Sequence, residues 1–177
     1  MTWQPDDFED LAGELRRRVG HEFREEAEEV ERLADLQRRR RASLAEVALD
    51  ALHRGDEVTI RSTAKTWTGK LIEVGDDYVR LQTSNVVVEA LLEGVAFVVV
   101  TSRSGGRSGR PASSTWKARL SELALSGEPV TVLAPALGLE VAGVIELVAR
   151  DHVVIGGPGR SYVPLWSLVI VLRSVPR

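Results

Sequence analysis

The last two-thirds of the chain says nearly the same thing twice, and that repetition constrains the fold more than any other feature. Gly55, Asp56, Glu57, Val58 and Ile60 stand 72 residues before Gly127, Glu128, Pro129, Val130 and Val132. Gly69, Leu71, Val74, Val79 and Leu81 stand 74 residues before Gly143, Ile145, Val148, Val153 and Ile155. Val95, Phe97 and Val99 precede Leu168, Ile170 and Leu172 by 73. Apolar positions that hold while the offset drifts by only two residues predict a duplicated small β-module. At 177 residues and 44% apolar composition, the chain has material for one ordinary core or two small ones.

Each copy reads as a short helix, a Gly-then-acid turn, and a run of alternating strands. Ser43 and Glu46 have capping-box spacing and start a helix through Leu44, Val47, Ala48 and Leu52, which Gly55 stops. From Glu57 the apolar period changes from 3.6 to 2. Val58 and Ile60 alternate with Thr59 and Arg61, and 68–74, 78–83, 85–90 and 95–101 supply four more strands. Gly75, Asp76 and Asp77 form a tight turn whose residues tolerate positive φ. Val86 to Val88, Val95 to Val100 and Leu165 to Leu172 are apolar on both faces, so those strands need a neighbour on each side.

Four segments follow: an acidic amphipathic helical arm over 1–42, a first module over 43–101, a Ser/Gly/Arg linker over 102–114, and a second module over 115–177. In the arm, Phe8, Leu11, Leu15, Val19, Phe23, Val30 and Leu33 recur at three- and four-residue steps. So narrow a stripe suits a partner helix in a coiled coil or a lengthwise seat on the modules, and it is the candidate oligomer or partner interface. Gly13 and Gly20 leave open whether the arm is one helix or two. The linker holds five Ser, three Gly, three Arg and one Pro with almost nothing apolar, and is predicted to be flexible.

Charge is unevenly placed. Residues 1–53 carry 14 acids against 9 arginines, a net of −5, whereas the other 124 carry 12 acids against 14 Lys and Arg, a net of +2. A broad basic field of the kind that dominates non-specific nucleic-acid affinity is missing, so any such contact is local. Arg38, Arg39, Arg40 and Arg41 fit either a phosphate-binding patch or cations that complement the C-terminal end of a helix dipole. Arg103, Arg107 and Arg110 either touch a phosphate backbone or keep the linker soluble. Lys65, Trp67, Lys70, Tyr78 and Arg80 offer a basic and aromatic surface of the type that stacks single strands, unless Trp67 and Tyr78 are core.

Catalysis finds little footing. His21, His53 and His152 have no spacing that suggests a metal site or a triad. Without cysteine, no disulfide, thiolate zinc site or cysteine nucleophile is available. Gly156, Gly157, Pro158, Gly159 and Arg160 are followed by neither Lys-Ser/Thr nor a helix, so they do not make a phosphate loop. We therefore expect no enzyme, no catalytic residue, no cofactor, no metal and no small-molecule substrate. The polar, acidic start predicts no secretory signal, and the longest apolar runs fall far short of the roughly 20 residues that span a bilayer. A cytoplasmic protein without membrane contact is expected. The ratio of 20 Arg to 3 Lys suggests a GC-rich bacterial genome.

The run from Gly69 to Leu81 (Gly-Lys-Leu-Ile-Glu-Val-Gly-Asp-Asp-Tyr-Val-Arg-Leu) and the run from Leu91 to Val98 resemble the two motifs of the Sm-like (LSm) family. Val141 to Ile155 and Val163 to Val171 resemble them more loosely. The resemblance covers about 130 residues and implies two tandem five-stranded antiparallel barrels, each with a short N-terminal helix, behind the helical arm. It also implies edge-to-edge pairing of fourth and fifth strands between subunits. The family's RNA binders carry Arg before the Gly of the second motif, where this chain has Glu93, and Trp166 and Ser167 occupy the aligned places in the second copy. A carboxylate there repels phosphate. Two functions remain open: a non-enzymatic adaptor assembling through strand edges and its helical arm, with itself or another protein, and an Sm-like regulator that binds single-stranded RNA or DNA.

Overall fold

In the computed structural model, residues 21, 23–24, 26–38, 40–63, 65–100 and 109–175 are described. The chain divides into two units at Ala42/Ser43. In the first, α1 covers 26–38. Phe23, Val30, Leu33 and Leu36 are all exposed, and the described residues give no evidence of a coiled coil, which corrects that expectation. Phe8, Leu11, Leu15 and Val19 lie outside the described residues.

The second unit begins with α2 (Leu44–Arg54). Ser43 caps it as the spacing predicts: the Glu46 amide donates to Ser43 Oγ at 3.2 Å, and the Ser43 amide donates to Glu46 Oε2 at 2.6 Å. Gly55 ends it at φ 69°, and Gly127 ends α3 (Trp116–Ser126) at φ 64°, both in the left-handed region that glycine enters without a Cβ clash. Each helix has 11 residues, and an offset of 72 superposes one range on the other.

Among the described residues eleven strands follow one another: β1 (Glu57–Arg61), β2 (Thr66–Val74), β3 (Tyr78–Gln82), β4 (Val86–Leu91), β5 (Ala96–Val100), β6 (Arg110–Pro111), β7 (Pro129–Ala134), β8 (Leu139–Val148), β9 (His152–Gly156), β10 (Arg160–Pro164) and β11 (Ile170–Ser174). They form one sheet in the order β10-β9-β8-β7-β11-β4-β3-β2-β1-β5, with β6 parallel beside β2. All other pairings are antiparallel.

The expectation of two tandem five-stranded Sm-like barrels is therefore corrected to a single open sheet. Two observations overturn it. First, β4 and β11 pair with each other from Ala90↔Ile170 to Val86↔Ser174, so the backbone groups that would leave each module as separate edges are satisfied between the halves. Second, the cores interlock. Leu133, Val169 and Ile170 join the cluster built on Leu52, Val58, Ile60, Leu71, Leu81 and Val88. Tyr78 joins the one built on Trp116, Leu120, Leu123, Ile145, Val153 and Leu168. Neither half buries its apolar residues alone.

Within this sheet the long strands bend. Residues 66–70 of β2 pair with β1 while 70–74 pair with β3, and the register shifts between Leu71 and Glu73. In β8, residues 139–144 pair with β7 and 144–148 with β9, shifting between Ile145 and Leu147. Glycine sits at both bends because the next backbone comes too near for a side chain: a Cβ on Gly69 would strike the carbonyl of Gln82, and one on Gly143 that of Gly156. The hairpin at Gly75 closes as expected, its amide donating to Tyr78 O at 2.9 Å. Positive φ is not the reason for glycine there, since only Gly55, Gly127 and Gly138 adopt it among the described residues. A Cβ on Gly75 would instead meet the Tyr78 ring and Ser114 O.

The end of the segment expected to be a flexible linker is seated on the sheet. The Ala112 amide donates to Val74 O at 2.8 Å and the Asp76 amide to Ser114 O at 2.9 Å. The Trp116 amide then donates to Asp77 Oδ1 at 2.6 Å, which starts α3 against the β2–β3 turn.

Candidate functional site: a charged seam and two open edges

Glu89 on β4 is fully buried, in a strand otherwise made of Val, Ala and Leu. It persists because three arginines surround it. Arg119 of α3 donates from Nε to Oε2 at 2.7 Å and from Nη2 to Oε1 at 2.9 Å, the bidentate fork that suits a guanidinium to a carboxylate. Arg173 of β11 donates from Nε to Oε1 at 2.8 Å, and Arg80 of β3 lies 3.4 Å away. Arg119 also reaches Glu122, and Arg173 reaches Glu128.

Arg80 links this cluster to a second buried acid, Glu73 of β2, at 3.0 Å. Glu73 further accepts from Tyr78 Oη at 2.7 Å and Arg110 Nε at 3.1 Å. Burial alone would raise the pKa of Glu73, but the tyrosine hydroxyl and the two guanidinia outweigh it and hold the carboxyl below its ordinary range. Burial, reinforced by the Glu73 carboxylate, pushes the Tyr78 hydroxyl up to about 12. Desolvation opposes the charge on Arg119, but the bonds to Glu89 and Glu122 overcome it and raise its pKa. Four carboxylates face four guanidiniums, so the seam between the halves is neutral as a set.

That seam absorbs much of the surface predicted to bind nucleic acid. Tyr78 is buried, its ring 6.2 Å from that of Trp116. Arg80 and Arg110 are held by Glu73, and Lys65 donates to both oxygens of Glu140 at 2.9 Å. Trp67 is half-buried against the first core. Lys70 is exposed, as are Arg40 and Arg41, while Arg38 pairs with Asp35 at 3.1 Å. Arg39, Arg103 and Arg107 lie outside the described residues. Within the second unit, then, Tyr78, Arg80 and Arg110 are engaged with partners inside the protein while Lys70 is exposed. Sequence reasoning missed Glu89, Arg119 and Arg173; the available signal was a lone acid within Val86 to Leu91 and a lone Arg within Ile170 to Arg173.

The sheet ends in β5 and β10, and among the described residues neither has a strand on its outer side. Large apolar side chains stand exposed there: Val98 of β5 at 49%, Tyr162 of β10 at 65%, and Trp166 just after it at 70%. The His152 ring lies 5.8 Å from that of Tyr162, and its Nδ1 donates to Asp151 Oδ1 at 2.7 Å, which lowers the Asp151 pKa.

Elsewhere, an open cleft of about 180 Å³ is lined by Ser43, Leu44, Ala45, Asp76, Asp77, Leu92 and Glu93. One oxygen of Asp77 in it is already taken by Trp116. Among the described residues no group of three His, Asp or Glu is placed to hold a metal ion, and no helix is long and apolar enough to cross a membrane. Compared with family models and with curated proteins, the chain matches none. The Sm-like resemblance therefore rests on its motif residues alone.

Proposed function

We propose that this is a non-enzymatic interaction protein whose open sheet edges take up a further strand. The observation that carries this reading is that β5 and β10 end the sheet with apolar side chains exposed beside a backbone edge that no described strand pairs. Such an edge presents a row of N–H and C=O groups that another chain completes, with alternate side chains giving specificity. The ion pairs of Lys65, Arg80 and Arg110 support this reading over phosphate binding, because cations already held by carboxylates have fewer counterions to release. The reading places the protein in the cytoplasm, where reducing conditions suit a chain without cysteine.

The test is a titration of isotopically labelled protein with extended peptides of alternating Val and Thr and, separately, with a uridine oligonucleotide. Amide shifts confined to β5 and β10 on adding peptide, little altered by salt, are the expected result. An oligonucleotide that binds with steep salt dependence, while the peptides leave both edges unshifted, would overturn it.

A further inference from the structure

We infer that the groove between α3 and residues 145–148 of β8 is a docking site for an extended segment of another protein, one that carries glycine, a large apolar residue and proline in succession. The first half of the sheet holds the template for this contact. Where β2 bends away from β1, the 109–114 segment lies beside it: Arg110 and Pro111 pair in parallel with Glu73 and Val74, and the Ala112 amide donates to Val74 O at 2.8 Å. An offset of 74 carries Glu73, Val74 and Gly75 onto Leu147, Val148 and Ala149. Beyond Val144, β8 has β9 on one side and no described strand on the other. Burial follows the presence of the segment. Glu73, Val74, Gly75 and, on α2, Leu52 are buried, whereas Leu147 is 54% exposed and Val148, Ala149 and Ala124, the α3 equivalent of Leu52, are only partly buried.

Side chains at the second groove define what it takes. In the first groove the register pair Glu73↔Arg80 sets an acid beside the segment, and that acid accepts from Arg110 Nε at 3.1 Å. The matching pair in the second is Leu147↔Val154, apolar on both strands. A guanidinium in the place of Arg110 would lie over Leu147 with no carboxylate, whereas a large apolar side chain covers it. Glycine belongs before that residue because a Cβ on Gly109 would strike the Ile72 backbone at 2.8 Å, and backbone recurs at the equivalent place on β8. Proline suits the position after it, since the bond to Val74 O comes from Ala112 and Pro111 needs no amide there. In this chain proline follows a large apolar residue only at Val163 and Val175, and Tyr162 and Ser174 precede those. Neither step has the glycine, which points to a segment from a different protein.

Polar anchors lie at the far end of the groove. In the first half the Asp76 amide donates to Ser114 O at 2.9 Å, and Asp77 Oδ1 accepts the Trp116 amide at 2.6 Å. Arg150 and Asp151 stand at the equivalent places in the β8–β9 turn, the Asp151 side chain 84% exposed. An occupant that follows the template meets the Arg150 amide and the Asp151 carboxylate in the same order. This contact uses the inner bend of β8, so it goes beyond the functional reading above, which stands on β5 and β10.

The experiment titrates the isotopically labelled full chain with two synthetic peptides, Ser-Gly-Leu-Pro-Ala-Ser-Ser-Thr and Ser-Gly-Arg-Pro-Ala-Ser-Ser-Thr, the second being the chain's own residues 108–115. The leucine peptide is expected to shift the amides of 145–151, and the arginine peptide to bind there about tenfold more weakly, because its charge finds no partner over Leu147. Leu147→Glu changes an exposed position and is expected to reverse that order while leaving the circular dichroism spectrum unchanged. No shift at 145–151 with the leucine peptide would overturn the site. Shifts confined to β5 or β10 would also overturn it, while supporting the edge reading. Equal binding of both peptides to both proteins would overturn the register that sets the apolar residue on Leu147. Self-association in sedimentation velocity that Leu147→Glu abolishes would make a second copy the occupant and overturn a separate partner.

Discussion

Arg119 grips Glu89 through two hydrogen bonds, of 2.7 and 2.9 Å, and so ties α3 of one half to β4 of the other inside the protein. The pair is part of a set in which Arg173 and Arg80 share the same carboxylate. Removing the acid alone leaves four guanidiniums facing three carboxylates around a position that is 0% exposed. Glu89→Leu is expected to cost about 3–5 kcal/mol, because breaking one partner of a buried ion pair leaves uncompensated charge. Combining it with Arg119→Leu and Arg173→Met is expected to recover a large part of that loss. Urea unfolding of the single and triple variants checks both; a triple variant less stable than the single one would refute the account.

Glycine at the two bends answers a steric demand rather than a turn. Gly69→Ala and Gly143→Ala place a methyl group against a carbonyl of the neighbouring strand, whereas Gly159 has nothing within 4 Å of an added Cβ. The first two are expected to destabilise by about 1–3 kcal/mol, the range for overpacking that forces backbone shifts. Gly159→Ala should lie within about 0.5 kcal/mol of the parent, as surface changes do. Thermal midpoints of the three variants give the comparison.

Tyr78 and Glu73 predict how stability depends on pH. The Tyr78 hydroxyl titrates at about 12 in the folded protein, above its value of 10.0 when free, so the unfolded chain loses that proton first as pH rises. Stability is fully present below pH 10 and falls between about 10 and 12. Glu73 has the opposite sign: its carboxyl is held below the ordinary value of 4.5, so its contribution is present above that value and is lost as pH falls through the folded pKa. Tyr78→Phe is expected to flatten the alkaline limb and to weaken, without abolishing, the acid one, because the hydroxyl helps hold the Glu73 carboxyl down while Arg80 and Arg110 still do so. Denaturation midpoints measured across pH read both limbs, and an unchanged alkaline limb would contradict the assignment.

The capping box at Ser43 is exposed and local, so its loss should stay local. Ser43→Ala is expected to cost about 1 kcal/mol, typical of an N-cap hydroxyl, with faster amide exchange in the first turn of α2. Ser43→Asp should restore most of it, because a carboxylate caps the same amide and favours the positive end of the helix.

Local features were legible in the sequence wherever neighbours along the chain decide them. Ser43 with Glu46 marked the start of α2 and Gly55 its end, and the period-2 run at Val58 and Ile60 marked β1. Tyr78 shows the limit. Beside Lys65, Lys70 and Arg80 it fitted a stacking surface, yet its ring is buried against Trp116, 38 positions further on. Spacing cannot reveal that an aromatic and an acid from one half will meet a helix from the other. Arg110 likewise looked like a free linker cation until Glu73 took it.

What the sequence determined by itself is the inventory of elements, because capping, glycine conformations and apolar period act over a few residues. The tertiary structure alone decided how the strands share edges. Pairing β4 with β11 satisfies backbone groups that closed modules would have managed separately, and it makes the halves exchange core residues such as Leu133, Ile170 and Tyr78. That choice turns on contacts between residues some 80 positions apart, as in Glu89 with Arg173. A long-range carboxylate and guanidinium find each other only after the strands around them have excluded water.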